Sequence, residues 1–299
     1  MPIGSSIPGF SISEPFRVRG SYDDIMKYKV FLKNKAAVVG LILVVLTSLV
    51  AIFAPFIAPY DVREQDFQHR YMRPNWKHLL GTDDFGRDTF SRVVYAARVS
   101  LSVGVLSVLL STLLGMLIGM FAGYLGGRFD TLVVGLVDIL MAFPTILLCL
   151  TILVIMGPGF WTIILSIGFS LFPRFIRIAR GATLSVKQEK YVEAARLVGR
   201  NEMGIIFLHI LPNISGPIIV IGTLWIATAI RIEAALSFLG FGVKPPMPTW
   251  GNMINAGMTF LAIDPWLVTV PGFAIMITVI AFNMLGDGLR DISDPRLRQ

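Results

Sequence analysis

Residues 131–173, TLVVGLVDILMAFPTILLCLTILVIMGPGFWTIILSIGFSLFP, hold one charged side chain, Asp138. A helix needs ~20 apolar residues to cross a bilayer, so a run roughly twice that length must contain two crossings. The triplet Gly157-Pro158-Gly159 is the natural place to turn, because glycine accepts left-handed dihedrals and proline cannot continue a helical hydrogen-bond ladder. This reading yields spans near 131–155 and 160–179 and settles the class of fold: an all-α, polytopic membrane protein.

The rest of the chain agrees. Of 299 residues, 55% are hydrophobic and 15% charged, and the mean hydropathy is +0.72; soluble domains carry about 25% charge. A polar segment at 1–35 ends in Lys27, Lys29, Lys33 and Lys35, and no charge follows until Asp61. That uncharged run is longer than a signal-peptide core of ~7–15 residues and begins too deep in the chain, so it reads as a retained anchor near 36–58. Further spans are expected near 97–122, 213–238 and 266–286, the last flanked by Trp266 as an interfacial anchor. Six spans place both termini on one side.

Lysine and arginine decide which side that is. Seventeen of the 26 fall in the N-terminal segment, the 123–130 turn, the 174–212 stretch and the C-terminal tail. The six in the opposite segment, 61–97, are matched by six acids, and the other opposite loop, 236–265, carries Lys244 alone. Both termini are therefore predicted cytoplasmic, with 61–96 an extracytoplasmic loop and 180–212 a cytoplasmic one. The net charge of +7 does not point to nucleic acid, since no polar, basic, aromatic-studded domain exists to hold a strand.

Catalytic chemistry finds no foothold. No HExxH or GxSxG occurs, and one cysteine, Cys149, can build neither a thiolate metal site nor an internal disulfide. Gly81-Thr82-Asp83-Asp84-Phe85-Gly86-Arg87-Asp88 has the glycine spacing of a phosphate loop, but Arg87 and Asp88 stand where lysine and Ser/Thr are required. Two further aspartates would repel an anion. No metal site, catalytic residue or resident cofactor is expected, and any driving ATP must be bound elsewhere.

The 180–212 loop contains Tyr191-Val192-Glu193-Ala194-Ala195-Arg196-Leu197-Val198-Gly199 and ends in His209-Ile210-Leu211-Pro212. Read by composition, it holds an amphipathic helix of small residues followed by a glycine, fit to lie on a bilayer or to approach another backbone closely. The order Glu-Ala-Ala, three residues, Gly, then Leu-Pro resembles the loop by which permeases of ABC importers dock on their ATPases. His209-Ile210-Leu211-Pro212-Asn213 looks like the peptide-importer subgroup. His78–Asp88, Leu236–Gly242 with Pro245-Pro246 and Trp250-Gly251, Phe282-Asn283, Gly286–Asp291 and Asp294-Pro295 are similar to the C-type permease of dipeptide, oligopeptide and nickel importers. The resemblance runs from about residue 30 to the end.

The resemblance implies a type I importer bundle over 36–299. It implies that the chain moves peptides or nickel chelates, handed over by an extracytoplasmic binding protein, across a prokaryotic inner membrane. The partners would be a second homologous permease and two ABC ATPase subunits that bind ATP and Mg, coupled through Glu193, Ala194, Ala195, Gly199, His209 and Pro212. The alternatives are a stand-alone transporter or channel, which needs an inverted repeat not found here, and a membrane scaffold, which needs no docking helix. Within the spans Asp138, Arg231 and Glu233 require protein or water around them. Asp138 is open between helix packing and pathway lining, and Glu233 between a permease interface and substrate contact. Arg231 and Glu233, two apart on a helix, cannot share a face. Gly115, Gly119 and Gly123 form a strip for close helix packing. Segments 61–97 and 236–265 are the expected docking surfaces for the binding protein.

Overall fold

The computed structural model describes residues 32–293. Most of the predicted N-terminal segment 1–35 and the Asp294-Pro295 motif lie outside them. The described residues form helices α1 (Lys35–Ile52), α2 (Thr89–Leu125), α3 (Gly127–Ala142), α4 (Thr145–Met156), α5 (Phe160–Val186), α6 (Lys190–Leu197), α7 (Leu211–Phe238), α8 (Trp250–Met258) and α9 (Trp266–Ser293). Short helical turns lie at Ala54–Ile57 and Phe67–His69, and among the described residues there is no β-strand.

Five helical runs are long and apolar enough to span a membrane, and a sixth candidate is the pair α3–α4. Here the structure departs from the expected single span over 131–155. The pair is bent by 91°, because Phe143 leaves the helix in an extended conformation and Pro144 cannot donate to the preceding turn. Gly157-Pro158-Gly159 does separate α4 from α5, with Gly157 at φ +81°. Helix α5 continues to Val186, seven residues past the expected end, and so adds Arg180 to Arg174 and Arg177, which the expected span already held. Likewise the run containing α7 starts not at residue 213 but at Glu202, through one α turn (Glu202–Ile205) and a π-helical turn (Ile206–Ile210).

Caps fix the ends. Asn34 Oδ1 accepts from Ala37 N at 3.1 Å, and Asn34 Nδ2 donates to Asp291 Oδ2 at 3.1 Å, so the start of α1 and the end of α9 share one side of the bundle. Asp88 Oδ2 accepts from Ser91 N and Oγ, each at 2.7 Å, at the start of α2. At 37 residues, α2 is about 55 Å long and overruns a hydrocarbon core of ~30 Å. Its most extensive partner is α5. The strip Gly115, Gly119, Gly123 faces α5 so closely that a Cβ on Gly119 would lie 2.3 Å from the Ile176 carbonyl oxygen. Lipid tails are as apolar as leucine, so such close backbone packing, rather than apolar burial alone, holds membrane helices together.

Candidate functional site

At the end of the bundle reached by the C-termini of α2 and α5, α6 projects as a two-turn helix. Val192 is buried and Ala195 packs against the core, while Glu193 and Ala194 face outward. Glu193 lies in the first helical turn, where a negative charge complements the helix dipole. At the end of the helix, Leu197 and Val198 are 83% and 88% exposed, an apolar knob left uncovered among the described residues. Gly199 closes the helix at φ +81°, its N–H donating to Arg196 O at 3.0 Å while Arg200 N reaches Ala195 O at 3.1 Å. Among the described residues no atom lies within 4 Å of where a Gly199 Cβ would stand, and its positive φ suits the left-handed backbone of a helix C-cap. His209 lies in the π turn; its ring sits 6.4 Å from that of Tyr191, and its carbonyl accepts from Asn213 Nδ2 at 2.6 Å. Pro212 opens α7, where its missing N–H has least cost.

Tyr124, which sequence reading passed over, ties this loop to the bundle. From the last turn of α2 its hydroxyl bonds to the Glu202 carboxylate and accepts from Arg196 Nη2 at 3.3 Å. Its carbonyl accepts from Lys187 Nζ at 2.6 Å, and the same ammonium lies 5.3 Å from the ring centroid. One side chain thus joins α2, the end of α5, α6 and the turn before α7.

The opposite end of α2 is set in an acid–arginine knot built from the segment that imitates a phosphate loop. Asp83 Oδ1 accepts from the backbone N–H groups of Phe85 and Arg87 at 2.9 and 3.0 Å, while its Oδ2 pairs with Arg87 Nε at 2.7 Å and Arg92 Nε at 3.4 Å. Arg92 Nη1 also donates to Val62 O at 3.2 Å, and His78 Nδ1 lies 2.9 Å from Asp88 Oδ1. Partial burial, then the negative charge of Asp83, raises the Asp84 carboxyl above the usual range. The rings of Tyr71 and Phe260, 5.0 Å apart, bring segments 61–97 and 236–265 together. Between them a cleft of about 460 Å³ is lined by Arg87, Arg92, Lys244, Asn252 and Asn255 among others.

The three intramembrane charges separate. Glu233 is fully buried; its Oε1 accepts from Ser237 Oγ at 2.7 Å, and the hydroxyls of Ser100 and Thr249 adjoin the carboxyl. It is enclosed within this chain by α2, α7 and the start of α8. Arg231 points the other way and is exposed, with Nη2 donating to Thr228 Oγ1 at 3.1 Å. Asp138 Oδ1 pairs with Arg177 Nη2 at 2.6 Å, the two side chains 57% and 56% exposed. Full contact with lipid tails would cost such charges ~2.5 kcal/mol or more apiece. Among the described residues no group of histidines, cysteines and acids could hold a metal ion.

A membrane-spanning helical bundle with an exposed apolar knob at one end and a polar knot at the other fits a multi-pass membrane protein. The comparisons give the class its name. The model of the binding-protein-dependent transport system inner membrane component family matches residues 115–299, and that of the N-terminal TM domain of oligopeptide transport permease C matches 27–74. The chain belongs to this family of ABC importer permeases, in its dipeptide/oligopeptide C-type branch. It is 46% identical to the dipeptide transport system permease protein DppC of Escherichia coli (strain K12), over 90% of this chain and 92% of that one. It is 39% identical to the glutathione transport system permease protein GsiD of E. coli O6:K15:H31 (strain 536 / UPEC), over 98% and 97%. Among solved structures, an inward-facing form of the MetNI methionine ABC transporter superposes with a TM-score of 0.55 at 18% identity, over 68% of this chain and 96% of that one, a likeness of fold alone.

Proposed function

We propose that this chain is one of two pseudo-symmetric permease subunits that import di- or oligopeptides, or related small substrates such as nickel chelates, across a prokaryotic inner membrane with both termini in the cytoplasm. A binding protein delivers the substrate to the outer face around segments 61–97 and 236–265. Two ATPase subunits, which bind ATP and Mg, dock on α6; the permease itself hydrolyses nothing. Relatives that carry dipeptide and glutathione names favour peptides over chelates.

One observation carries the reading: Leu197 and Val198, almost wholly exposed, end a short helix that is tied to the bundle by buried Val192 and by the Arg196–Tyr124 bond. Exposed aliphatic side chains at the tip of a pinned helix fit a cleft in a soluble partner. Glu193, Ala194 and Ala195 flank them, Gly199 sets the turn, and His209 and Pro212 hold the return into α7. Closure of the ATPase dimer would press the two permease loops together and shift the bundle between inward- and outward-facing states.

The test is a reconstituted complex bearing Glu193→Lys or Gly199→Trp. Both should insert and assemble, yet ATP hydrolysis stimulated by loaded binding protein should be lost. ATP turnover still coupled to uptake in both variants would remove this loop from the mechanism. Failure of the unaltered chain to co-purify with an ATPase would favour a stand-alone transporter or a scaffold instead.

A further inference from the structure

The geometry points to Asp138 and Arg177 as a peptide-contact point on a water-filled pathway, where the α-ammonium and α-carboxylate of a zwitterionic peptide exchange with the ion pair. The inference rests on the permease reading above and adds a site to it.

Depth comes first. Asp138 lies eleven residues beyond the start of α3, and Arg177 nine residues before the end of α5. At 1.5 Å per residue these are about 16 and 14 Å from the helix ends; against the expected spans 131–155 and 160–179, Asp138 lies about 10 Å inside and Arg177 about 3 Å inside. An aspartate about 10 Å in is too short to reach an interface, whereas an arginine near a span end can do so. Yet both side chains are more than half exposed in this chain. The 2.6 Å bond engages one carboxylate oxygen and one guanidinium nitrogen, leaving most of the arginine's five donors seeking water or a polar ligand.

A second observation lies beside the pair. The α3–α4 break falls at Phe143-Pro144, and both residues are exposed. Interrupted backbone at membrane depth survives only where protein covers it or water lines it. Thr145, the first residue of α4, is bonded by Arg174 Nη2 at 3.0 Å, while Asp130 near the start of α3 is gripped by Arg180 at 2.5 and 2.6 Å. Arg174, Arg177 and Arg180 recur every third residue of α5 and meet α3–α4 in three polar rungs. The outer two are half-buried; the central rung is the open one. An open rung of opposite charges beside an interrupted helix is a water-facing surface.

The ligand class follows from the charges. A peptide with free ends carries one group for each member of the pair: ammonium to Asp138, carboxylate to Arg177. Trading one internal pair for two external ones leaves net charge unchanged. The hold is therefore weak, as conduction requires of a site that must also release.

The test uses the full complex in lipid nanodiscs with Cys149→Ser and either Asp138→Cys or Arg177→Cys, treated with a charged, membrane-impermeant methanethiosulfonate. Leu136→Cys, 54% exposed but roughly 160° round the helix from Asp138, is the control. Both site thiols should react about tenfold faster than the control, and dialanine should slow them while its N-acetylated, C-amidated form does not. Unreactive thiols at both positions would overturn the pathway assignment, and equal protection by capped and free peptide would overturn recognition of the termini. ATP-driven uptake by the unaltered complex is measured in parallel. Its absence would count against the importer reading, whereas its presence beside inert thiols would defeat the site alone.

Discussion

Gly119→Ala should wedge α2 away from α5. The added Cβ would stand 2.3 Å from Ile176 O, 2.9 Å from Ala179 Cβ and 3.0 Å from Arg180 N. An ordinary carbon–oxygen approach is about 3.3 Å, so the helices must separate by roughly 1 Å at this level. None of the three atoms can swing aside by a rotamer change. Overpacking of this kind costs about 1–3 kcal/mol, against which alanine returns up to ~1 kcal/mol of helix propensity. A net loss of about 1–2 kcal/mol lowers the folded-to-unfolded ratio roughly 5- to 30-fold. Gly115→Ala meets Phe175 Cβ at 2.5 Å and Gly123→Ala meets Arg180 O at 2.8 Å, so their losses should be comparable to or smaller than that at Gly119. Gly135→Ala, with open space around it, should be neutral or stabilising. Reversible unfolding in mixed detergent–SDS micelles measures all four. If Gly119→Ala unfolds at the same SDS fraction as the wild type, the α2–α5 seam is not the tight contact described.

Two other perturbations follow from the ends of α2. Tyr124→Phe keeps the ring under Lys187 but removes the hydroxyl shared by Glu202 and Arg196; hydrogen bonds to charged groups are worth about 1.5–3 kcal/mol, so amides of residues 190–205 should exchange roughly tenfold faster. Unchanged protection of that stretch would show that the clasp is not what holds α6. At the other end of α2, Asp84 has a raised folded-state pKa, so the folded form binds its proton more tightly than the unfolded form does. Its charge therefore opposes folding at neutral pH, and that opposition fades as pH falls through the raised folded value toward the ordinary carboxylate value near ~4. Asp84→Asn should melt higher than the wild type at neutral pH and converge with it on acidification; a difference that grows as pH falls would contradict the cause assigned to the shift.

Much of the bundle can be read before folding, because lipid demands long uncharged runs and the chain supplies them in order. Gly115, Gly119 and Gly123 announce a packing strip through their four-residue period, although their partner, α5, is known only from the fold. What the sequence hides is pairing over distance. Nothing in the sequence singles out Tyr124, because its partner Glu202 lies 78 residues away. Likewise, the knot of Asp83, Arg87 and Arg92 could be seen only as a failed phosphate loop, since which acid meets which arginine depends on how the chain turns over the top of α2. The two-residue spacing of Arg231 and Glu233 required opposite faces, but burial decided that the acid turns inward. The 91° break had a signal in Pro144, yet Pro173, Pro217 and Pro271 sit inside helices, so proline alone does not tell a break from a tolerated kink.

These contacts also say where the bundle can move. Helix α2 is anchored in the acid–arginine knot through the Asp88 cap and clasped at its far end by Tyr124. Along its length, three glycines lock it backbone to backbone against α5. Sliding this pair would require every one of those close contacts to open together, so α2 and α5 transmit displacement as one body. Helices α3 and α4 are attached differently: α3 buries only Val133 and Val137, α4 only Cys149 and Leu153, and the polar rungs bridge the break. Long arginines can keep a partner while the helix beneath them shifts, which rigid apolar packing cannot do. A push on α6 therefore reaches the opposite face of the bundle through α2 and α5, and the yielding element is the bent pair α3–α4 that carries Asp138.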